Sequence, residues 1–148
     1  MNDFLETTID KFTFRVDPSC HYSTEGIWVR VENGRARLGL SDFLQQRSGD
    51  IAFIDVQPAG TILAPDEEFA SIETVKANVM LASPVSGTVI QVNPALETRP
   101  EVINQEPFGD GWVCEVALSD WDVDRQCLLD ANAYFDKMKQ EATEAHQS

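Results

Sequence analysis

The stretch F-A-S-I-E-T-V-K-A-N-V-M, residues 69–80, places Lys76 between two runs, "FASI" and "ANVML", that read as short strands. A lysine in the turn between two paired strands stands clear of the domain, with its amine in water. The chain has four lysines, Lys11, Lys76, Lys137 and Lys139, so Lys76 is alone between residues 12 and 136. On position alone it reads as an ordinary surface lysine. Its isolation argues for a handle, because lysines kept for solubility come scattered in numbers.

Outward from that hairpin the pattern is β. "FTFRV" (Phe12–Val16) alternates apolar and polar residues. In "IWVRVENGRARLGLS" two alternating runs flank Asn33-Gly34, the pair that a type I′ turn favours. "SDFLQQRSGD" reads as a short helix, with Ser41 as N-cap, Asp42 at the positive dipole end and Gly49 as the stop. Residues 50–56, "DIAFIDV", read as a buried strand. A turn at 84–87 leads into a strand at 88–92, and "WVCEVALS" at 112–119 is another strand. Between them, "ALETRPEVINQEPFGDG" at 95–111 is a polar, turn-rich loop with some helical character. Residues 1–12 show no period and read as a loose arm. From about residue 122, Val123, Cys127, Leu128, Ala131, Tyr134, Phe135 and Met138 recur at helical spacing, as a helix pair or one bent helix fraying into "TEAHQS". The whole is one domain over 1–148, with a core at about 12–120 and a helical segment at about 122–142. Its class is mainly β: an antiparallel β sandwich or flattened barrel with helices packed outside.

Composition excludes several functions. Lys plus Arg is 11 and Asp plus Glu is 25, a formal net charge of 11 − 25 = −14. Nucleic acid and anionic membrane surfaces both want a basic face. No apolar run is long enough to span a bilayer, and the polar, acidic start is unlike a signal peptide, so the expectation is a cytoplasmic monomer without membrane insertion. Cys20, Cys114 and Cys127 are odd in number and lack CxxC spacing, which points to reduced thiols, with a Cys114–Cys127 pair left open.

Side-chain catalysis lacks its constellation. His21 and His146 are the two histidines, and neither lies in a motif. No paired Cys/His spacing offers a metal site, and no glycine-rich phosphate loop occurs. Trp28, Trp112 and Trp121 read as core residues. By subtraction, the chain does not read as an enzyme that does chemistry with its own side chains.

"ETVKA" followed by "SPVSGTV" resembles the modification hairpin of lipoyl domains, most closely the H-protein family of the glycine cleavage system. The resemblance extends over "YSTEGIWV", "GLSDFLQQRSGDIAFIDVQPAGT", "NPALETRPEVINQEPFGDGW" and "LLDANAYFDKM", most of the chain. It implies a hybrid lipoyl/biotinyl-type fold and lipoic acid in amide linkage on Lys76. Val75 and Ala77 flank the lysine where biotin carriers usually have methionines. Glu73 would be a recognition residue for a lipoate-protein ligase, and Gly87 would allow a tight turn under the arm.

The family's cleft holds a cationic aminomethyl cargo with polar residues. Three of those positions are apolar here: Ile27 stands for the Glu of a His-Glu-Trp motif, Phe43 for a frequent His, and Met80 for an Asp. An apolar cleft would hold an ammonium poorly, because desolvating an unpaired charge is costly. The resulting expectation is a sister group of the family, the lipoate-binding proteins of microbial sulfur oxidation that serve a heterodisulfide-reductase-like complex. The alternatives are a glycine cleavage carrier, working with glycine decarboxylase, aminomethyltransferase and dihydrolipoyl dehydrogenase, and a lipoyl relay or unmodified interaction protein.

Overall fold

The structure, a computed structural model, describes residues 4–147; the side chains of residues 146 and 147, His146 among them, lie outside the described residues. Among the described residues the strands are β1 (Leu5–Ile9), β2 (Phe12–Val16), β3 (His21–Tyr22), β4 (Ile27–Glu32), β5 (Arg35–Leu40), β6 (Ile51–Val56), β7 (Ile62–Leu63), β8 (Glu68–Thr74), β9 (Asn78–Ala82), β10 (Gly87–Val92) and β11 (Cys114–Leu118). The helices are α1 (Asp42–Ser48), α2 (Val102–Gln105), α3 (Trp121–Asp124) and α4 (Ala131–Gln147), with 3-10 turns at Pro94–Glu97 and Arg125–Cys127.

Asn33 and Gly34 take φ of 52° and 76°, the two positive values a type I′ turn requires, and fold β4 onto β5 with Ile27 opposite Leu40. From that hairpin a six-stranded antiparallel sheet grows in the order β3-β4-β5-β11-β10-β7. A second sheet has the order β6-β8-β9. Alternate residues of both sheets meet in one apolar core: Val29 and Leu38 from the first, Phe69, Ile72 and Leu81 from the second, closed by Leu44 of α1 and Ile103 of α2. This is the expected flattened β sandwich.

A second cluster lies under α4, whose Ala131, Tyr134, Met138 and Ala142 bury one stripe against Phe14, Tyr22, Trp28 and Phe43. Tyr134 stacks on Tyr22 at 4.4 Å, and its hydroxyl lies 2.8 Å from Ser41 Oγ. Ser41 Oγ also accepts from Leu44 N, as an N-cap should.

Three expectations need correction. Within the expected loose arm, residues 1–3 lie outside the described residues and Leu5–Ile9 is ordered as β1, which pairs along its length with β2, from Leu5 opposite Val16 to Ile9 opposite Phe12. The turn residues Asp10 and Lys11 have φ of 49° and 78°, a left-handed pair made without the glycine that would have announced it. The strand at 50–56 is only partly buried, because a bulge at Ala52 turns Phe53 into water, 58% exposed. The C-terminal segment is the helix pair of the two forms expected, and the difference lies in the length of its second helix. Leu129 interrupts the segment by exchanging backbone hydrogen bonds with Tyr22, at 2.8 and 2.9 Å, and α4 is then helical from Ala131 to Gln147, past the expected end at about residue 142.

All three cysteines are free; Cys20 and Cys114 are buried and Cys127 is exposed, so the open Cys114–Cys127 pair is not formed. Trp28 and Trp112 are core residues as expected, while Trp121 is half-buried with His21 against its ring edge at 5.1 Å. Among the described residues no helix is long and apolar enough to cross a membrane.

Candidate functional site

The hairpin of β8 and β9 is in register from Glu68 opposite Ala82 to Glu73 opposite Asn78, which leaves residues 74–77 as its tip. Thr74 organises that tip. Its backbone N–H donates to the Ala77 carbonyl at 2.9 Å. Its hydroxyl donates to the same carbonyl at 3.2 Å and accepts from the amides of Lys76 (3.3 Å) and Ala77 (3.2 Å). One donor and both lone pairs are thus in use. Thr74 is buried, whereas Val75, Lys76 and Ala77 face solvent. Thr74 is a site residue that the sequence reading passed over. Its signal was available: a threonine two residues before a turn lysine is the pattern of a side-chain-braced turn.

The Lys76 ammonium makes no salt bridge among the described residues. Its stem rests over Gly49: a Cβ on that glycine would stand 3.7 Å from Lys76 Cε and 3.8 Å from Cδ. Gly49 ends α1 with φ of 91°. Asn104 pins it, donating from Nδ2 to the Gly49 carbonyl at 3.1 Å and to Gln45 Oε1 at 2.9 Å, while its Oδ1 accepts from Ile51 N at 2.9 Å. A rigid floor therefore lies under a solvated amine. Acylating that amine would break no ion pair and bury no charge, so the site suits an amide-linked arm.

Glu73 is exposed on β8, beside the tip. Gly87 is elsewhere. It opens β10 inside the six-stranded sheet, opposite Leu118 and Leu63, and a Cβ there would come within 2.2 Å of the Ala117 carbonyl oxygen. It serves the close approach of two strands and not a turn under the arm.

The three apolar positions expected to line a cleft do not share one. Ile27 is 1% exposed in the core between the sheets. Phe43 is buried in the second cluster, edge-on to Phe14 at 5.5 Å. Met80 is exposed on β9. None of the three lines the surface cavity of about 500 Å³ beside Arg30, Arg35 and Arg37 or that of about 430 Å³ beside Asp42, Gln46 and Asn104.

The geometry has its counterpart among known proteins. The model of the glycine cleavage H-protein family matches residues 20–141, which includes the whole Lys76 hairpin and its Gly49 floor. The chain belongs to the glycine cleavage H-protein family. It is 43% identical over 114 residues to a glycine cleavage system H protein of Salinibacter ruber, covering 77% of this chain and 91% of that one. Against the glycine cleavage system H protein of Nitratidesulfovibrio vulgaris strain DP4 it is 41% identical over 125 residues, covering 84% and 94%. A crystal structure of a glycine cleavage system H protein from Mycobacterium marinum superposes with a TM-score of 0.71 over 81% of this chain and 96% of that one, at 24% identity, and shows the same fold. H-family members are lipoyl carriers, with lipoate held covalently on a lysine. The β1–β2 hairpin lies before the region that the family model matches.

Proposed function

We propose that Lys76 is the lipoyl-attachment residue and that the chain works as a glycine cleavage carrier. A lipoate-protein ligase would load it, and it would serve glycine decarboxylase, aminomethyltransferase and dihydrolipoyl dehydrogenase in turn. The observation that carries this reading is the exposed Lys76, in no salt bridge among the described residues, on a hydroxyl-braced hairpin tip inside the region shared with the family.

In loading, Lys76 Nζ attacks an activated carboxyl, gives up a proton, and forms the amide as the leaving group departs. Lipoate supplies a redox-active disulfide on a long tether when attached. The chain's own residues do the rest. Thr74 holds the tip in one shape, Gly49 underlies the stem, and Asn104 fixes Gly49. Glu73 offers a charge beside the tip for the ligase to recognise.

A second reading, a carrier of sulfur intermediates for a heterodisulfide-reductase-like complex, rests on the missing polar groups at Ile27, Phe43 and Met80. Packing weakens that argument. Ile27 and Phe43 fill core sites where a charged or polar side chain would be stranded, so their apolar character answers the fold. Met80 alone stays free of that explanation.

Protein made with an active ligase and analysed by intact mass should carry one lipoyl adduct, absent from Lys76→Arg. An unmodified wild type would support the interaction-protein alternative. The lipoylated chain incubated with glycine and glycine decarboxylase should gain an aminomethyl group; failure to load would return the argument to sulfur.

A further inference from the structure

We infer that the outward face of the β6-β8-β9 sheet, centred on Phe53 and Met80, is where the lipoate-protein ligase docks, through an apolar spot rimmed by basic side chains. This rests on Lys76 being the attachment residue.

The register assigns the face. Phe53 lies opposite Glu73 and Glu73 opposite Asn78; one step along, Asp55 lies opposite Ser71 and Ser71 opposite Met80. These six share the outward side, because the residues between them, Ile54, Ile72 and Val79, pack against the core. The outward row ends at the 74–77 tip, so the face is continuous with Lys76.

Two large apolar side chains sit on it in water: Phe53 is 58% exposed and Met80 55%, with Val75 at the tip at 95%. Phe53 is there because of a backbone irregularity. Ile51 pairs with Thr74 and Phe53 with Glu73, so Ala52 is an extra residue. Without that bulge Phe53 would fall opposite Ile72 and point into the core. Bulges re-aim side chains near functional sites, and this one turns an aromatic ring outward beside the lysine. Exposed aromatic and methionine side chains of this kind are the usual anchors of protein interfaces.

Charge names the partner's rim. Asp55 and Glu73 flank Phe53 and Met80 on this face, both exposed and neither in a salt bridge among the described residues. The whole chain carries a formal −14. A complementary surface has a pocket for the two apolar groups and lysine or arginine around it.

The test is steady-state ligation of lipoate with ATP and purified lipoate-protein ligase, with the unmodified chain as the varied substrate. Phe53→Ser should raise KM by about fivefold or more with kcat little changed, Met80→Ser should do the same, and added salt should raise the wild-type KM. Ile62→Ser is the control, since Ile62 is 78% exposed but lies on the other sheet. Thermal melts establish that each variant is folded, and Met80→Ser carries the test alone if Phe53→Ser is unstable. KM values within twofold of wild type for the folded face variants, or an equal rise for Ile62→Ser, overturn the docking face while leaving Lys76 as the attachment residue. A wild type that gains no adduct at Lys76 overturns both.

Discussion

The side-chain stem of Lys76 lies across Gly49, the residue that terminates α1, with Lys76 Cε 3.7 Å from where a glycine-replacing Cβ would stand. The arm and the helix end are thus built as one unit. Gly49 has φ of 91° and ψ of −173°, a region open essentially to glycine. Gly49→Ala should cost about 1–3 kcal/mol in backbone strain. In a chain of this size that lowers Tm by roughly 2–4 °C per kcal/mol, measurable by calorimetry. The added methyl stays in ordinary contact range of Lys76, so lipoylation at a temperature where the variant is folded should persist.

Thr74→Val should loosen the tip without unfolding the protein. The substitution keeps the shape but removes the acceptor of the Lys76 and Ala77 amides and one of the two donors to the Ala77 carbonyl, the Thr74 backbone N–H remaining. These groups are near water, so the stability loss should be only about 0.5–1.5 kcal/mol. Hydrogen exchange read at amides 76 and 77 should accelerate in the variant; unchanged protection there would show that the hydroxyl is not what orders the turn.

Ser41 and Tyr134 form a buried pair that ties α4 to the start of α1. Tyr134→Phe should cost about 1–2 kcal/mol, and Ser41→Ala a similar amount because it also removes the N-cap. The double variant should cost less than the sum of the two, since they share one hydrogen bond. Urea denaturation of the four proteins measures the coupling.

Acid stability should depend on Asp17. Burial alone would raise its carboxyl, but hydrogen bonds from Ser19 Oγ and N and from the Arg30 guanidinium outweigh burial and hold it below the usual carboxylate range. A folded-state pKa below the unfolded one, about 3.9, gives stability that is present above that value and lost as pH falls through the folded pKa. Wild type should therefore lose Tm more steeply than Asp17→Asn as pH drops below about 4. Parallel Tm curves for the two proteins across that range would refute the linkage.

Thiol reactivity should follow burial. Burial raises the Cys20 thiol to about 11 and the Cys114 thiol to about 12, while Cys127 is exposed. A thiol reagent at mildly alkaline pH should modify Cys127 rapidly in the native protein and all three cysteines only after denaturation. Fast labelling of Cys20 or Cys114 in the folded state would contradict their placement.

Much of the site could be read from the chain because its signals are local. Asn33-Gly34 dictates its own turn, Ser41 and Gly49 bound α1, and the isolated Lys76 lies between two short apolar runs that pair as β8 and β9. Each depends on residues a few positions apart. The β1–β2 turn escaped because Asp10 and Lys11 adopt left-handed backbone without a glycine to mark it. Phe53 escaped because one bulged residue reverses which side of a strand faces the core, and alternation cannot register an extra residue.

The amino-acid sequence by itself determined the family and the class of fold, and it singled out Lys76 as the proposed attachment residue. Only the tertiary structure decided what the apolar residues at 27, 43 and 80 are for. Burial is a property of distant partners: the core between the two sheets buries Ile27, the cluster under α4 buries Phe43, and Met80 stays more than half exposed. The same residue type therefore supports the core at two of these positions and, at the third, is more than half exposed on the hairpin that carries Lys76.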